Sequence, residues 1–151
     1  SVVEMANPPE SFDPFVVVIA MDGKDLAMNA FNFYVKYIHR EDNYVILAHA
    51  MKLPTMPTRE DWEKTHKAAR RASIPLESKF SSLLTENELN GKVEDGLEKP
   101  GEFILETAKT NDAKLIVMGC RGMGGLKRTL LGSVSDHVMH HAPCPVLVVR
   151  K

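Results

Sequence analysis

Short apolar runs alternate with segments of helical periodicity along almost the whole chain. The runs are rich in Val, Ile and Leu, which is typical of strands buried on both faces of a sheet. The segments between them carry apolar residues at i, i+3 and i+4, the spacing of a helix with one buried face. The predicted strands are 15–21, 44–50, 92–97, 114–118 and 145–149, and the predicted helices are about 24–38, 60–90, 100–110 and 133–141. This alternation predicts an α/β fold with helices on both faces of an open parallel sheet.

Two segments depart from the simple pattern. Pro75 lies inside the second helical segment, where it lacks an N–H and disfavours helix at Ile74. A kink or a break is therefore predicted there. The third strand, 92–97, is polar, which predicts a position at an edge of the sheet.

Length and composition favour one soluble domain. A chain of 151 residues can bury roughly 70% of its unfolded surface in a single core. The first 14 residues are polar and contain prolines, so we expect a flexible lead (1–14) followed by the folded domain (15–151). Nineteen basic and twenty acidic residues give a net charge of −1, which does not indicate a nucleic-acid or membrane partner. No signal-peptide layout or membrane-spanning run is present in the sequence, so a cytoplasmic location is expected.

A glycine-rich segment from Gly119 to Ser133 separates the fourth strand from the last helix. Glycines let backbone N–H groups approach an anion closely, and the start of a helix adds further N–H donors and a positive dipole end. Arg121, Lys127 and Arg128 add positive charge, and the segment contains no acidic residue. It matches neither the P-loop nor the dinucleotide-binding glycine motif. The segment therefore predicts a phosphate site of another type.

The spacing Gly119-x2-Gly122-x9-Gly132-Ser133 resembles the nucleotide-binding signature of the universal stress protein family. The flanking residues fit as well, and the resemblance extends from about Phe15 to Lys151. It implies a Rossmann-like sheet of five strands in the order 3-2-1-4-5. The strand order then reverses between strands one and four, which is where open α/β sheets bind ligands. It also implies ATP or AMP as the ligand.

The resemblance implies a role for individual residues of this chain. Gly119 and Gly122 would let the backbone approach ribose and phosphate, and Met118 would pack against the sugar. Asp22 would lie near the phosphates or an accompanying Mg²⁺. The implied nucleotide-binding residues are Ala20, Asp22, Ala50, Met118, Gly119, Arg121, Gly122, Gly132, Ser133, Val134 and Ser135.

The same residues can also be interpreted without a ligand. A glycine-rich loop followed by Gly-Ser can be only the entrance to a helix, and Asp22 before Gly23 can be only a turn residue. At Ala50, whose backbone would recognise the adenine edge, the family more often has a larger aliphatic residue, so the base is expected to be held less snugly.

The last predicted strand, 145–149, indicates how the chain could associate with a second copy. An apolar strand at a sheet edge exposes backbone donors and acceptors that natural proteins usually cover. Two antiparallel copies of residues 145–150 would cover this edge, and the family dimerises in this way. A homodimer is therefore predicted.

Three functions remain open from the sequence. The first is a stress-response regulatory module that binds an adenine nucleotide. The second is a slow Mg²⁺-dependent ATP hydrolase, since phosphoryl transfer needs mainly positioning and charge stabilisation. The third is a thiol or pH sensor that uses Cys120 or the group His137, His140 and His141, with Cys144 expected to be a buried filler.

Overall fold

The computed structural model describes residues 13–51, 58–121 and 132–151. Strands and helices alternate in these ranges as the sequence predicts. The elements are β1 Phe15–Ala20, α1 Asp25–Tyr37, β2 Asn43–Ala50, α2 Arg59–Glu86, β3 Gly91–Gly96, α3 Pro100–Thr110, β4 Leu115–Cys120, α4 Ser133–His141 and β5 Val146–Arg150. Most of the expected flexible lead lies outside the described residues. No helix within the described ranges is long and apolar enough to cross a membrane.

The five strands form one parallel sheet in the order β3-β2-β1-β4-β5. This confirms the predicted fold and strand order, including the edge position of β3. The other edge is β5. Because β1 and β4 are parallel neighbours, paired from Val17↔Leu115 to Ile19↔Val117, their carboxyl ends open at the same side of the sheet.

Apolar side chains fill both faces of the sheet. On one face Val17 and Ile19 pack with buried residues of α1 and α2, such as Phe31 and Phe80. On the other face Val18 packs with buried residues of α3 and α4. Successive residues of a strand point to opposite faces, so a continuous apolar run such as that in β1 supplies both clusters.

Helix α2 runs without interruption through Pro75, so of the kink or break expected there the break is wrong and the kink stays a prediction. A proline at this position removes the hydrogen bond to the carbonyl of Arg71, and both residues lie on the exposed side of the helix, where water can replace the donor. The helix is stabilised near both of its ends. Thr58 caps its first turn by accepting a hydrogen bond from the N–H of Asp61 at 3.1 Å, and Phe80 is fully buried near its other end.

Candidate functional site

A cleft of about 210 Å³ lies at the carboxyl edge of the sheet, where β1, β2 and β4 end. The first turns of α1, α3 and α4 complete its walls. Its described lining residues are Ala20, Met21, Asp22, Leu26, Ala27, Ala48, Ala50, Pro100, Ile104, Met118, Gly119, Val134 and Ser135. The fold therefore brings together side chains that are more than a hundred residues apart in the sequence.

Seven of the eleven residues predicted for the site line this cleft: Ala20, Asp22, Ala50, Met118, Gly119, Val134 and Ser135. Of the other four, Arg121 is exposed just after β4, and Gly132 and Ser133 are exposed at the start of α4. Ser133 lines an adjoining groove of about 390 Å³ between the first turns of α3 and α4. Gly122 lies outside the described residues.

The walls contain residues that the motif did not indicate. Leu26 comes from α1, Pro100 and Ile104 come from α3, and Ala48 precedes Ala50 by two positions on β2. Only Ala48 carried a usable signal, because residues i and i+2 of a strand share a face. The contributions of α1 and α3 depend on how these helices pack, which their apolar periodicity does not specify.

The start of α4 supplies backbone donors beside the cleft. The first hydrogen bond of this helix runs from the N–H of Asp136 to the carbonyl of Gly132, at 2.9 Å. The N–H groups of Ser133, Val134 and Ser135 precede that bond and therefore have no acceptor within the helix. Ser135 is only 5% exposed although it lines the cleft. Such a helix start favours an anionic group.

Asp22 has both a turn role and a place in the cleft. Its carboxylate accepts a hydrogen bond from the N–H of Lys24 at 2.9 Å, and Gly23 between them has a φ of +76°. This positive φ is the reason that the turn after β1 requires glycine. The side chain of Asp22 is exposed at the cleft wall, so the turn leaves its other carboxylate oxygen available to solvent or a ligand.

The histidines of α4 lie at its surface and do not form a metal cluster. The rings of His137 and His141 lie 4.5 Å apart, and Nδ1 of His141 is 2.8 Å from the carbonyl oxygen of His137. Nδ1 of His140 is likewise 2.8 Å from the carbonyl oxygen of Asp136. Among residues 13–51, 58–121 and 132–151, no three His, Cys, Asp or Glu side chains converge to hold a metal ion.

The two cysteines are unpaired and differ in burial. Cys120 ends β4 and is buried, so its thiol is poorly accessible for the sensing role considered from the sequence. Cys144, expected to be a buried filler, is only half-buried. Burial raises the pKa of the Cys144 thiol, and the positive charge of Lys114 opposes that shift.

His49 lies directly behind the cleft wall. It sits on β2 between Ala48 and Ala50, but its side chain points to the opposite face of the sheet, against Phe80. The side chain is 6% exposed, and its buried Nδ1 has no hydrogen-bond partner among the residues that the structure describes. Burial lowers the pKa of His49, and the carboxylates of Asp95 and Asp22 oppose this shift.

This histidine predicts a pH dependence of stability. Because its pKa is lower in the folded chain, the unfolded chain gains a proton first as the pH falls. The stabilising contribution is fully present above the unfolded pKa of about 6.5 and is lost progressively below it. We expect the free energy of unfolding, measured in urea between pH 8 and pH 5, to fall with decreasing pH.

The slope of that decrease should be smaller in His49→Gln. It should not vanish, since burial also lowers the pKa of His39. Equal slopes in the wild type and His49→Gln would contradict the prediction.

Comparisons with known proteins agree on the family. The sequence profile of the universal stress protein family matches residues 16–150. A universal stress protein of Methanocaldococcus jannaschii is 30% identical over 140 residues, which cover 89% of this chain and 81% of that protein.

Solved structures share the fold. A universal stress protein family protein from Arabidopsis thaliana, determined with AMP bound, has a TM-score of 0.69 at 21% identity, covering 91% of this chain and 92% of its own. A universal stress protein in complex with cAMP has a TM-score of 0.63 at 22% identity, covering 89% and 95% respectively. The chain belongs to the universal stress protein family.

Proposed function

We propose that this chain binds an adenine nucleotide in the cleft and acts as a stress-response regulatory module. The observation that carries the proposal is the combination of an apolar wall and a helix start in one cleft. Ala20, Ala48 and Ala50 form part of the wall, and the first turn of α4 presents backbone donors beside it. Family membership supports the role, as do the relatives determined with AMP and with cAMP.

The arrangement of polar groups suggests how a nucleotide would lie. The wall formed by Ala20, Ala48 and Ala50 suits a flat base, because apolar side chains can cover its faces. The α4 end suits the phosphates, which would accept from the N–H groups of Ser133, Val134 and Ser135. Met118 and Gly119, near the end of β4, line the same cleft and would contact the ribose. Arg121, Gly122 and Gly132 belong to the proposed phosphate site as well.

Asp22 is the one carboxylate among the described lining residues of the cleft. We propose that it supplies an oxygen ligand to Mg²⁺ carried by the nucleotide, since hard cations prefer carboxylate oxygens. Slow ATP hydrolysis is the second candidate function, favoured by this carboxylate alone. Mg²⁺-dependent release of phosphate under turnover, lost in Asp22→Asn, is the result that would establish it.

The test of the proposed site is a calorimetric titration with ATP, AMP and cyclic AMP, with Mg²⁺ present, for the wild type and Gly132→Ala. A Cβ at Gly132 would meet no described atom within 4 Å, and the φ of −55° suits alanine. The variant should therefore fold normally. Its added methyl group would crowd the phosphates, so we expect micromolar binding in the wild type and at least a tenfold loss in the variant.

Thermal unfolding serves as the control for this comparison, since equal midpoints would show that the loss arises at the site. Failure of the folded wild type to bind all three nucleotides would overturn the proposal. Equal affinities of the wild type and the variant would show that the phosphates do not bind at the start of α4.

We also propose that the module is a cytoplasmic homodimer formed through β5. The structure supports this partner surface because β5 is an edge strand whose Val146, Leu147 and Val148 are only half-buried. The N–H of Ile116 donates to the carbonyl of Pro145, and the N–H of Lys151 donates to the carbonyl of Cys120. Since backbone groups alternate in direction along a strand, those of Val146 and Val148 point away from β4. A second antiparallel copy would pair with them.

A further inference from the structure

We propose that the groove between the first turns of α3 and α4 holds a second nucleoside, so that the preferred ligand is a dinucleoside polyphosphate. Its phosphates would lie at the start of α4, with one nucleoside in the cleft and the other in the groove. The inference rests on the proposed nucleotide binding and names the class of nucleotide that the site prefers. It follows from where the groove lies and from the residues that line it.

The groove and the cleft adjoin each other at the start of α4. Pro100 and Val134 line both of them, whereas Ser133 lines the groove and Ser135 lines the cleft. The backbone donors proposed for the phosphates therefore lie between two cavities. The phosphates of a mononucleotide would end there, but a ligand with a nucleoside at each end of its phosphate chain would occupy both cavities.

A buried hydroxyl group at the same turn independently favours a ligand. Ser135 is only 5% exposed, and its hydroxyl makes no hydrogen bond with the residues that the structure describes. Most buried hydroxyl groups have a hydrogen-bond partner. Because Ser135 lines the cleft, its hydroxyl is available to donate to a phosphate oxygen there. This contact would hold the phosphate chain at the turn that separates the cleft from the groove.

The charges that line the groove suit a nucleoside better than a terminal phosphate. Lys99 and Glu102 contribute one positive and one negative charge, and both residues are exposed. A terminal phosphate carries close to two negative charges near pH 7, so the carboxylate of Glu102 would repel it. Ribose hydroxyls would instead donate to this carboxylate, as they do to the acidic residue of dinucleotide-binding folds. Lys99 would pair with the esterified phosphate that precedes the ribose.

The ring of His137 gives the groove a surface for a second base. A Cβ at residue 101 would lie 2.8 Å from Cδ2 of His137, so Gly101 is what allows the ring to lie against the start of α3. The ring of His141 lies 4.5 Å from that of His137, which further restricts its position. An imidazole ring and the ring of Pro100 can both pack against a flat base. The groove, at about 390 Å³, is also larger than the cleft of about 210 Å³ assigned to the first nucleoside.

The experiment compares ATP with diadenosine polyphosphates of three to six phosphates by calorimetric titration, with Mg²⁺ present. We expect one ligand per chain, and we expect the best-fitting member of the series to bind roughly tenfold more tightly than ATP, because its second nucleoside is already tethered beside the groove. Glu102→Gln and His137→Ala should each reduce this ratio to about threefold or less. The amide repels the terminal phosphate of ATP less and accepts more weakly from ribose hydroxyls, whereas alanine removes the surface for the base.

Glu106→Gln is the matched control, since it removes the same charge from α3 outside the described lining of the groove, and it should keep the ratio of the wild type. Glu102 is exposed, so its variant should fold even if His137→Ala does not. A wild-type ratio below about threefold for every member of the series would overturn this inference while leaving the proposed function intact. A ratio that survives in the folded groove variants, or one ligand per two chains, would do the same. Failure of the wild type to bind ATP or any of the dinucleoside polyphosphates would overturn both.

Discussion

Gly119→Ala is expected to lose most of its folded stability, together with any nucleotide binding. A Cβ at this position would project directly onto the carbonyl oxygen of Leu26 and lie 2.6 Å from its carbonyl carbon. These are backbone atoms of the first turn of α1, so no side-chain rotation can relieve the overlap. Either β4 or α1 must shift, and both are packed in the core. We expect a loss of roughly 3 kcal/mol or more in the free energy of unfolding.

Urea unfolding followed by circular dichroism measures this loss directly. Gly132→Ala is the matched control, because it makes the same substitution in the same motif at a position with open space around the new Cβ in the described structure. It should stay within about 0.5 kcal/mol of the wild type. A Gly119→Ala variant that is as stable as Gly132→Ala would show that the close approach of β4 to α1 is not required.

The difference between Gly119 and Gly132 shows which information the glycine motif contains and which it lacks. From the sequence, Gly119 was assigned to close approach of the backbone to the nucleotide and Gly132 to the donors at the helix start. The structure adds a packing reason for Gly119 that the motif did not contain, since α1 crosses β4 at that residue. At Gly132 the described structure gives no such reason. A role in ligand binding is therefore better isolated at Gly132 than at Gly119.

Local patterns predicted the elements well, for a physical reason. Burial on both faces requires continuous apolar runs, and burial on one face requires helical spacing, so each element carries its own signal. The predicted bounds of α3, 100–110, agree with Pro100–Thr110 because Pro100 suits the first turn of a helix. The break predicted at Pro75 does not occur, since the carbonyl of Arg71 that loses its donor lies on the exposed side of the helix.

The arrangement of the elements was less accessible to local patterns. Nothing in the apolar run of β1 specifies that β4, and not β3, lies beside it. The order came from the resemblance to the family. The same limit applies to the site. The motif located Gly119, Val134 and Ser135, but the opposite wall at Pro100 and Ile104 is formed by packing of α3 against the sheet, which no short motif encodes.

Val148→Pro should dissociate the proposed homodimer without unfolding the protomer. The backbone N–H of Val148 points away from β4, so a proline there removes no hydrogen bond from the β4–β5 pairing. Proline is tolerated on edge strands in this orientation. In an antiparallel pair each copy would lose one hydrogen bond, and each ring would obstruct the approach of the other strand. We expect the dissociation constant of the dimer to rise at least roughly a hundredfold.

Sedimentation velocity over a range of concentrations measures this change, and circular dichroism reports the fold. Val148→Ala keeps the N–H while shortening the side chain, so it should remain dimeric and separates the backbone contribution from the apolar one. Leu147→Pro is the opposite control, because the N–H of Leu147 points toward β4 and its loss should destabilise the protomer itself. A dimer that survives Val148→Pro with its original dissociation constant must use another surface, and the outward backbone of β5 would then be covered by a different partner.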